Sequence, residues 1–274
     1  MEGGAWKGLY TLGVLDAMML EGINLRTTVG ISAGALCGMG YVSGQIGWGA
    51  RIDLTYRHDP NYCGAGAMRT DRGITGFSYL YRDILKALPL DMDRLMRPDR
   101  RFLVGATNML TGELYYFEKG QCDLFQAVQA SATVPYISKP VMINGIPYID
   151  GGCADKIPYR WAKEHEQSKK IVVVKTREWE YRRKENGSRI ARRVYKAYPS
   201  FVESLENTNR KFNIMTDELR EESASGHVFV IAPSKRVTVS RFEGNMDKLG
   251  DLYWQGYYDL ENQLIKLKTY LGIT

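Results

Sequence analysis

The sequence has no long apolar run, and it contains few cysteines and histidines. No stretch of 18 or more consecutive apolar residues occurs, so we expect no helix that crosses a bilayer. The four cysteines lie far apart and form no C-x-x-C pair, which argues against a zinc knuckle, a redox pair or a disulfide framework; they are Cys37, Cys63, Cys122 and Cys153. We therefore expect a reduced, cytoplasmic protein that requires no metal or other cofactor.

What the chain does contain is typical of a globular domain. Its 274 residues are 44% hydrophobic and 25% charged, which excludes a disordered, a collagen-like or a coiled-coil chain. A chain of this length can bury a sizeable core without disulfide or metal cross-links. We expect a single domain that covers residues 1–274.

The positive charge is concentrated in one stretch, Lys175 to Lys196, called here the basic segment. It holds nine lysines and arginines against three glutamates, which accounts for the whole net charge of +6. We favour a solvated loop and helix face. A peripheral contact with anionic lipid is the alternative, with Arg182, Arg183, Arg192 and Arg193 as candidate membrane-surface residues. No recognisable nucleic-acid module surrounds the segment, so we expect no nucleic-acid partner.

The hydrophobic pattern predicts an α/β protein, because strand-like and helical segments alternate. The predicted strands include Thr27–Val29, a hairpin of Arg101–Thr107 with Glu113–Phe117, strand-like segments within Val141–Ile149 around Asn144-Gly145, Ile171–Val174 and Val228–Ala232. Apolar residues spaced by three or four from Leu249 to Leu271 predict an amphipathic helix at about 246–271 that packs on the core.

The first candidate for chemistry is Gly30-x-Ser32-x-Gly34, which follows a predicted strand and precedes a predicted helix. A sharp turn in this context exposes a serine hydroxyl at the carboxyl end of a strand, and glycines permit the strained backbone. The structural alternative is a glycine-lined turn in which Ser32 only caps the helix.

The second candidate is Asp150-Gly151-Gly152, which also follows a strand-like segment. Open α/β sheets place their sites at such strand ends. A buried carboxylate could serve a serine as base, because burial raises the pKa of aspartate. The alternative is an ordinary Asp-Gly turn.

The third candidate is the glycine-rich loop that begins at Gly3-Gly4-Ala5 and precedes a helix. Backbone N–H groups before a helix stabilise an anion, either a phosphate or an oxyanion. The sequence matches neither the Walker A pattern nor G-x-G-x-x-G. The alternative is a frayed terminus.

Together, these motifs resemble the patatin-like phospholipase family. The resemblance extends to Arg101–Gly120 and to Ala130–Pro135, which is similar to the family's A-S-x-x-x-P segment, and it covers nearly the whole chain. It implies a three-layer α/β/α sandwich with a mainly parallel central sheet. It also implies a serine hydrolase that cleaves carboxylic esters of lipids, with a lipid or another ester as its substrate.

The resemblance also assigns roles to the motif residues. It implies that Ser32 is the nucleophile and Asp150 its direct partner, in a dyad without histidine. The backbone N–H groups of Gly3, Gly4 and Ala5 would form the oxyanion hole. The supporting motif glycines are Gly30, Gly34, Gly151 and Gly152.

Two features depart from the family pattern. Ala5 stands where the family often has a third glycine. Only Met1 and Glu2 precede the glycine loop, where the family has a buried strand. The first strand is therefore expected to be missing from the sheet, or to be supplied by an upstream extension of about 5–10 residues in the native protein.

Two other functions remain open. The order Ser32, Asp150, His227 is that of an α/β-hydrolase triad, but His227 precedes a predicted strand and so lies at the wrong end of a parallel sheet. His58 and His165 lie in polar stretches. The second alternative is a non-catalytic module that binds lipid or another anion. The sequence leaves the natural substrate, the positional preference and the oligomeric state open.

Overall fold

Seven strands form two sheets in a computed structural model that describes residues 1–165, 170–185 and 189–273. The strands are β1 (Thr27–Ile31), β2 (Arg101–Asn108), β3 (Leu114–Glu118), β4 (Val141–Ile143), β5 (Ile146–Asp150), β6 (Ile171–Val174) and β7 (Val228–Ile231). The first five form one sheet, and β6 pairs with β7 in a second sheet.

Helices cover the sheets and follow most strands. They are α1 (Gly8–Leu20), α2 (Ala33–Ser43), α3 (Trp48–Tyr56), α4 (Ala65–Thr70), α5 (Phe77–Tyr79), α6 (Leu85–Ala87), α7 (Met92–Leu95), α8 (Leu124–Ser131), α9 (Tyr159–His165), α10 (Arg189–Val194), α11 (Pro199–Ala224), α12 (Met246–Glu261) and α13 (Leu264–Leu271). Short 3-10 turns span Ala5–Lys7 and Gly151–Cys153, and a π turn spans Leu80–Ile84. Within the three described ranges, no helix has the length and apolar content needed to span a bilayer.

The sheet of β6 and β7 is buried on both faces, which gives the three-layer arrangement. Val174 and Ile231 pack with α1 and α12 on one face. Val173 and Val230 pack with α11 on the other. The expected α/β/α architecture is therefore confirmed.

Strand pairing is more mixed than the mainly parallel sheet that we expected. Parallel pairs join β1 to β2 and β6 to β7, whereas β2–β3, β2–β5 and β4–β5 are antiparallel. The antiparallel share is large because two tight hairpins, β2–β3 and β4–β5, lie in the five-stranded sheet. In the second hairpin Asn144 and Gly145 have φ values of 50° and 77°, as the Asn-Gly signal predicts.

Strands β1 and β5 meet head to head along one side of β2. Ile31, the last residue of β1, pairs with Gly105, and Asp150, the last residue of β5, pairs with the next residue, Ala106. The other side of both β2 residues is occupied by β3. This arrangement brings the residue after β1, Ser32, next to Asp150, although 118 positions separate them in sequence.

Met1 and Glu2 lie between the two sheets. The Met1 amino group donates to the carbonyl of Val29 at 2.8 Å, and the N–H of Ile31 donates to the carbonyl of Met1 at 3.3 Å. The N–H of Glu2 donates to the carbonyl of Val174 at 3.0 Å. These two residues thus bridge β1 and β6 at the place where the family resemblance implies a strand.

The C-terminal helix differs from the expected single helix at 246–271, because α12 and α13 are separated at Asn262 and Gln263. Helix α12 crosses α1 at very short range. A Cβ on Gly13 would lie 2.0 Å from the carbonyl oxygen of Tyr253, and one on Gly256 would lie 2.1 Å from that of Tyr10. The contact lies in the core, as predicted, and it anchors the helix that follows the glycine loop.

Candidate active site

Ser32 occupies a strained turn between β1 and α2. Its φ of 54° lies in the left-handed region, where a non-glycine residue costs about 1–3 kcal/mol. The flanking glycines are required because a Cβ on Gly30 would lie 2.5 Å from the Gly34 carbonyl oxygen, and one on Gly34 would lie 2.8 Å from that of Met1. The Ser32 side chain makes no capping hydrogen bond to α2, so the helix-cap interpretation is wrong.

The hydroxyl of Ser32 points to Asp150 instead. Ser32 Oγ donates to Asp150 Oδ2 at 2.8 Å, and the N–H of Gly152 donates to Asp150 Oδ1 at 2.7 Å. Gly151 must be glycine, because a Cβ there would lie 2.3 Å from the backbone oxygen of Gly105. The bond from Gly152 is the one that an Asp-Gly turn makes by itself, whereas the bond from Ser32 links the carboxylate to the serine turn.

The environment of Asp150 makes its carboxyl a weaker acid than a solvated one. Burial raises the pKa of the Asp150 carboxyl above its usual value. The hydrogen bond from Ser32, the positive charges of Lys156 and Arg241, and the N–H of Gly152 oppose this rise only in part. A carboxylate with a raised pKa is a stronger base than a solvated one, and a base for a serine hydroxyl needs this property.

Ser131 stabilises the serine turn through two hydrogen bonds of its hydroxyl group. The N–H of Ser32 donates to Ser131 Oγ at 2.8 Å, and Ser131 Oγ donates to the carbonyl of Gly105 at 2.6 Å. Ser131 is fully buried at the end of α8. The A-S-x-x-x-P resemblance pointed to this segment, but the sequence did not indicate what the serine does.

The glycine loop passes directly over the turn. A Cβ on Gly3 would lie 3.0 Å from the Ser32 Cβ, and one on Gly4 would lie 2.7 Å from Thr176 Oγ1. The N–H of Gly3 donates to the carbonyl of Lys156 at 3.2 Å and is therefore occupied. The N–H groups of Gly4 and Ala5 make no hydrogen bond to another described residue. Ala5 has a φ of 50°, which explains why glycine suits this position.

A cavity of about 490 Å³ opens beside these groups. Ser32, Asp150, Gly3, Gly4 and Ala5 all line it. The volume is in the range of small-molecule and cofactor sites. The sequence-predicted reactive residues and the glycine loop therefore face a common space large enough for a substrate.

None of the three histidines lines this cavity. His227 is exposed at the amino end of β7, and its Nδ1 lies 3.0 Å from Glu222 Oε2. The exposed His165 ring stacks on Trp161 with 4.9 Å between centroids, and His58 is also exposed. A histidine triad has no member within reach of Ser32.

The four arginines proposed to contact a membrane do not share one surface. Arg182 pairs with Asp217, and Arg192 pairs with Glu206 through two hydrogen bonds of 2.7 and 3.0 Å. Arg193 is exposed, whereas Arg183 is half-buried and lines the cavity. Residues 186–188 of the basic segment lie outside the described residues.

An elbow serine that donates to a half-buried aspartate, under a glycine-rich loop, is an arrangement typical of serine hydrolases. The family model "Patatin-like phospholipase" matches residues 1–162, more than half of the chain. The chain belongs to the patatin-like phospholipase family, a family of hydrolases, and the resemblance seen in the motifs is confirmed.

A second family model, "Domain of unknown function (DUF6363)", matches residues 198–272. This stretch contains α11, β7, α12 and α13. The single domain over residues 1–274 remains a prediction.

Relatives and a solved structure agree with the family. YjjU of Escherichia coli (strain K12), an uncharacterized protein, is 28% identical over 182 residues, which cover 64% of this chain and 50% of that relative. A probable lipid hydrolase of Invertebrate iridescent virus 6 is 24% identical over 200 residues, 64% of this chain and 68% of that relative. An uncharacterized NTE family protein of Mycobacterium tuberculosis is 29% identical over 164 residues, 57% of this chain and 42% of that relative.

The structure is similar to that of VipD from Legionella pneumophila, with a TM-score of 0.52 and 17% identity over 97% of this chain and 66% of that one. This likeness supports the fold alone. The chain spans about half or less of the length of YjjU and of the mycobacterial protein.

Proposed function

We propose that the protein is a serine acyl hydrolase that cleaves carboxylic esters of lipids, of the phospholipase A, lysophospholipase or lipase type. The observation that carries the proposal is the 2.8 Å hydrogen bond from Ser32 Oγ to Asp150 Oδ2 at a strained elbow. Family membership and a relative named as a probable lipid hydrolase support a lipid ester as the substrate.

In the first half of the reaction, Ser32 Oγ attacks the ester carbonyl carbon while its proton passes to Asp150 Oδ2. The proton has only the existing hydrogen bond to cross, so no histidine relay is required. The carbonyl oxygen becomes an oxyanion. When the tetrahedral intermediate collapses, the ester C–O bond breaks, the alcohol leaves with the proton held by Asp150, and the acyl group remains on Ser32.

In the second half, a water molecule attacks the acyl-enzyme and gives its proton to Asp150. A second tetrahedral intermediate collapses, Ser32 leaves and recovers the proton, and the fatty acid is released. The net reaction consumes one water and one ester and yields one acid and one alcohol. Asp150 finishes ionised, as it began.

The N–H groups of Gly4 and Ala5 are the oxyanion donors we propose, because both line the cavity and neither donates to another described residue. Gly3 was included in the sequence prediction, but its N–H is directed to Lys156. Each donor aimed at an oxyanion is worth about 3–4 kcal/mol of barrier. Ala5 begins the 3-10 turn that leads into α1, so the positive end of the helical segment lies on the same side.

The test is covalent labelling with a fluorophosphonate probe, followed by mapping of the labelled peptide. We expect labelling at Ser32 in the wild-type protein and none in Ser32→Ala. His227→Ala is the matched control, and it should label at the wild-type rate because His227 is exposed and outside the cavity. An unlabelled wild-type protein that still binds lipid would favour the non-catalytic binding module.

A further inference from the structure

The cavity beside Ser32 has a strongly positive wall. Five cationic side chains line it, called here the cationic wall: Lys7, Lys156, Arg177, Arg183 and Arg241. None of the five forms an ion pair with a carboxylate of the described residues. Most charged side chains that are partly buried have a partner, so this concentration of unpaired charge needs a structural explanation.

The members of the cationic wall lie close enough to repel one another. Burial is the main cause that lowers the pKa of Lys7 to about 8, and the charges of Arg177, Arg183 and Arg241 add to it. Burial also lowers the pKa of Lys156, with Arg183 the next cause. This mutual repulsion makes the wall a favourable place for an anion.

Two of the guanidinium groups make cation–π contacts with aromatic rings instead of ion pairs with acids. Arg177 and Arg183 lie over the same Tyr181 ring, with 4.3 and 5.6 Å from each Cζ to the ring centroid. Arg183 also lies 4.7 Å from the centroid of Phe212. The Nε atoms of both arginines are buried without a hydrogen-bond partner. The rings fix the guanidinium planes, and one Arg177 Nη donates to the carbonyl of Val237 at 2.8 Å, whereas the Arg183 guanidinium donates to no other described residue.

Part of the cavity lining is apolar and belongs to one hydrophobic cluster. It is formed by Trp6, Leu36, Met39, Trp48, Ile52 and Leu80, called here the apolar wall. Its one carboxyl is Asp53, which accepts a hydrogen bond from Tyr62 at 2.8 Å and whose pKa is raised by burial to about 6. Ser32 is connected to both sets of residues, because it precedes the helix that carries Leu36 and Met39 and its hydroxyl bonds to Asp150 in the turn that leads to Lys156.

We propose that the cationic wall binds the phosphate of the substrate, so that the preferred substrate is a phospholipid whose headgroup carries a net negative charge. This inference rests on the proposed function. In such a lipid a glycerol unit separates the phosphate from the acyl ester, so a phosphate on the cationic wall places the ester at Ser32 and the chain on the apolar wall.

The charge of the wall also excludes other lipids. Arginine matches phosphate with paired N–H donors, whereas a diacylglycerol offers no group that neutralises the wall. The trimethylammonium of a choline headgroup would lie near five cations and be repelled. The wall therefore selects anionic over zwitterionic and neutral lipids.

The test compares short-chain lipids that remain monomeric, so that the charge of a bilayer surface plays no part. Release of hexanoate is measured at constant ionic strength from dihexanoyl phosphatidylglycerol, dihexanoyl phosphatidylcholine and dihexanoylglycerol. For the wild type we expect kcat/KM to be highest for the anionic lipid. In Arg183→Gln and in Arg241→Gln the ratio of anionic to neutral kcat/KM should fall by about 10-fold or more, the usual worth of a charged hydrogen bond.

Arg69→Gln is the matched control, because Arg69 is exposed on α4 and does not line the cavity. It should keep the wild-type ratio. Equal kcat/KM for all three lipids would overturn the inference and leave the hydrolase intact. If no lipid is hydrolysed at all, the proposed function fails instead.

A binding measurement keeps the inference testable without turnover. Calorimetry with Ser32→Ala compares dihexanoyl phosphatidylglycerol, glycerol 3-phosphate and inorganic phosphate. The lipid should bind at least 10-fold more tightly than inorganic phosphate, since only the lipid also covers the apolar wall, and the added Arg183→Gln change should weaken it. Inorganic phosphate that binds as tightly as the lipid would indicate a site for a free anion and would overturn the lipid assignment.

Discussion

The reactive pair and the cationic wall line the same cavity, but they are stabilised in opposite ways. The N–H and Oγ of Ser32 and both carboxylate oxygens of Asp150 have protein partners at 2.7–2.8 Å. Arg177 and Arg183 have buried Nε atoms without hydrogen-bond partners, and neither arginine forms an ion pair with a described carboxylate, although the charge of buried Glu2 raises the pKa of Arg183 in part. The first region is complete without a ligand, whereas the five cations of the second exceed the two carboxylates that act on them, Asp150 and Glu2. The proposed reactive groups are therefore fixed by hydrogen bonds within the protein, whereas the proposed phosphate site consists of cations without ion pairs.

Removing the reactive pair, Ser32 and Asp150, should have the strongest effect on activity. Ser32→Ala should lower ester hydrolysis by about 10⁴-fold or more, and Asp150→Asn by about 10³–10⁴-fold, because one removes the nucleophile and the other the base. Hydrolysis of p-nitrophenyl butyrate is the measurement. His58→Ala, His165→Ala and His227→Ala should each keep most of the activity. One histidine variant as inactive as Ser32→Ala, with its fold intact, would show that the dyad is wrong.

A second change tests how much the tight backbone contacts contribute. In Gly151→Ala the new Cβ would meet the backbone oxygen of Gly105 at 2.3 Å, so either β5 or β2 must shift. We expect the free energy of unfolding to fall by about 1–3 kcal/mol, as for other overpacked sites, with a large loss of activity. The control is Gly250→Ala, where a Cβ meets no atom within 4 Å in α12. It should stabilise by about 0.5–1 kcal/mol.

The raised pKa of Asp150 predicts two opposite pH effects. Activity should increase as the pH rises through this pKa, because only the ionised carboxylate accepts the Ser32 proton. Stability should decrease over the same interval. The unfolded carboxyl titrates near about 3.9, and the folded one binds its proton more tightly.

Asp150→Asn removes this titration. Its free energy of unfolding, minus that of the wild type, should grow from about pH 4 up to the folded pKa and then stay constant. Chemical denaturation at several pH values measures it. A difference that does not change with pH would contradict the assigned shift.

The basic segment contains both a cation that lines the cavity, Arg183, and exposed cations such as Arg192 and Arg193. Arg192→Glu with Arg193→Glu should reduce binding to anionic vesicles and make it less sensitive to salt. Arg183 is left out of this variant because it lines the cavity. Vesicle co-sedimentation gives the result. Vesicle binding equal to that of the wild type would indicate that the basic segment is only a solvated surface. Loss of the exposed pair with Glu206 should change stability little.

The smallest expected effect is that of Ala5→Gly. Glycine adopts the φ of 50° at residue 5 without the cost of about 1–2 kcal/mol that a side chain brings. The unfolded chain also gains freedom, which offsets about 0.4–1 kcal/mol of this. Thermal unfolding should show a slight stabilisation. A clear loss of stability would mean that packing of the Ala5 methyl group contributes more free energy than its positive φ costs.

Local motifs made the fold class and the reactive residues predictable. Gly30-x-Ser32-x-Gly34 and Asp150-Gly151-Gly152 are short, and their glycines reflect backbone contacts that tolerate no side chain. The Asn144-Gly145 hairpin was visible for the same reason. The turn and the contact of Gly30 with Gly34 are local, whereas Gly34 and Gly151 meet carbonyls of Met1 and Gly105 more than 30 residues away, so only the glycines themselves were visible in the sequence.

The features that the sequence did not predict depend on distant parts of the chain. The cationic wall consists of single residues at five positions between 7 and 241, so no sequence motif with a fixed spacing predicts it. The apolar periodicity of the C-terminal helix continues across Asn262 and Gln263, although the helix is interrupted there. The mixed pairing of β2 likewise depends on partners before and after it in the sequence.

Strands β1 and β5 end on neighbouring residues of β2, so the rate of ester hydrolysis depends on the correct register of these strands. A slip of β5 by one residue would move Asp150 along β2 by about 3.3 Å and turn its side chain to the other face of the sheet. The proton could then no longer pass from Ser32. During refolding, spectroscopic signals would report a collapsed sheet in either register, whereas ester hydrolysis would return only in molecules whose ladder is correctly aligned.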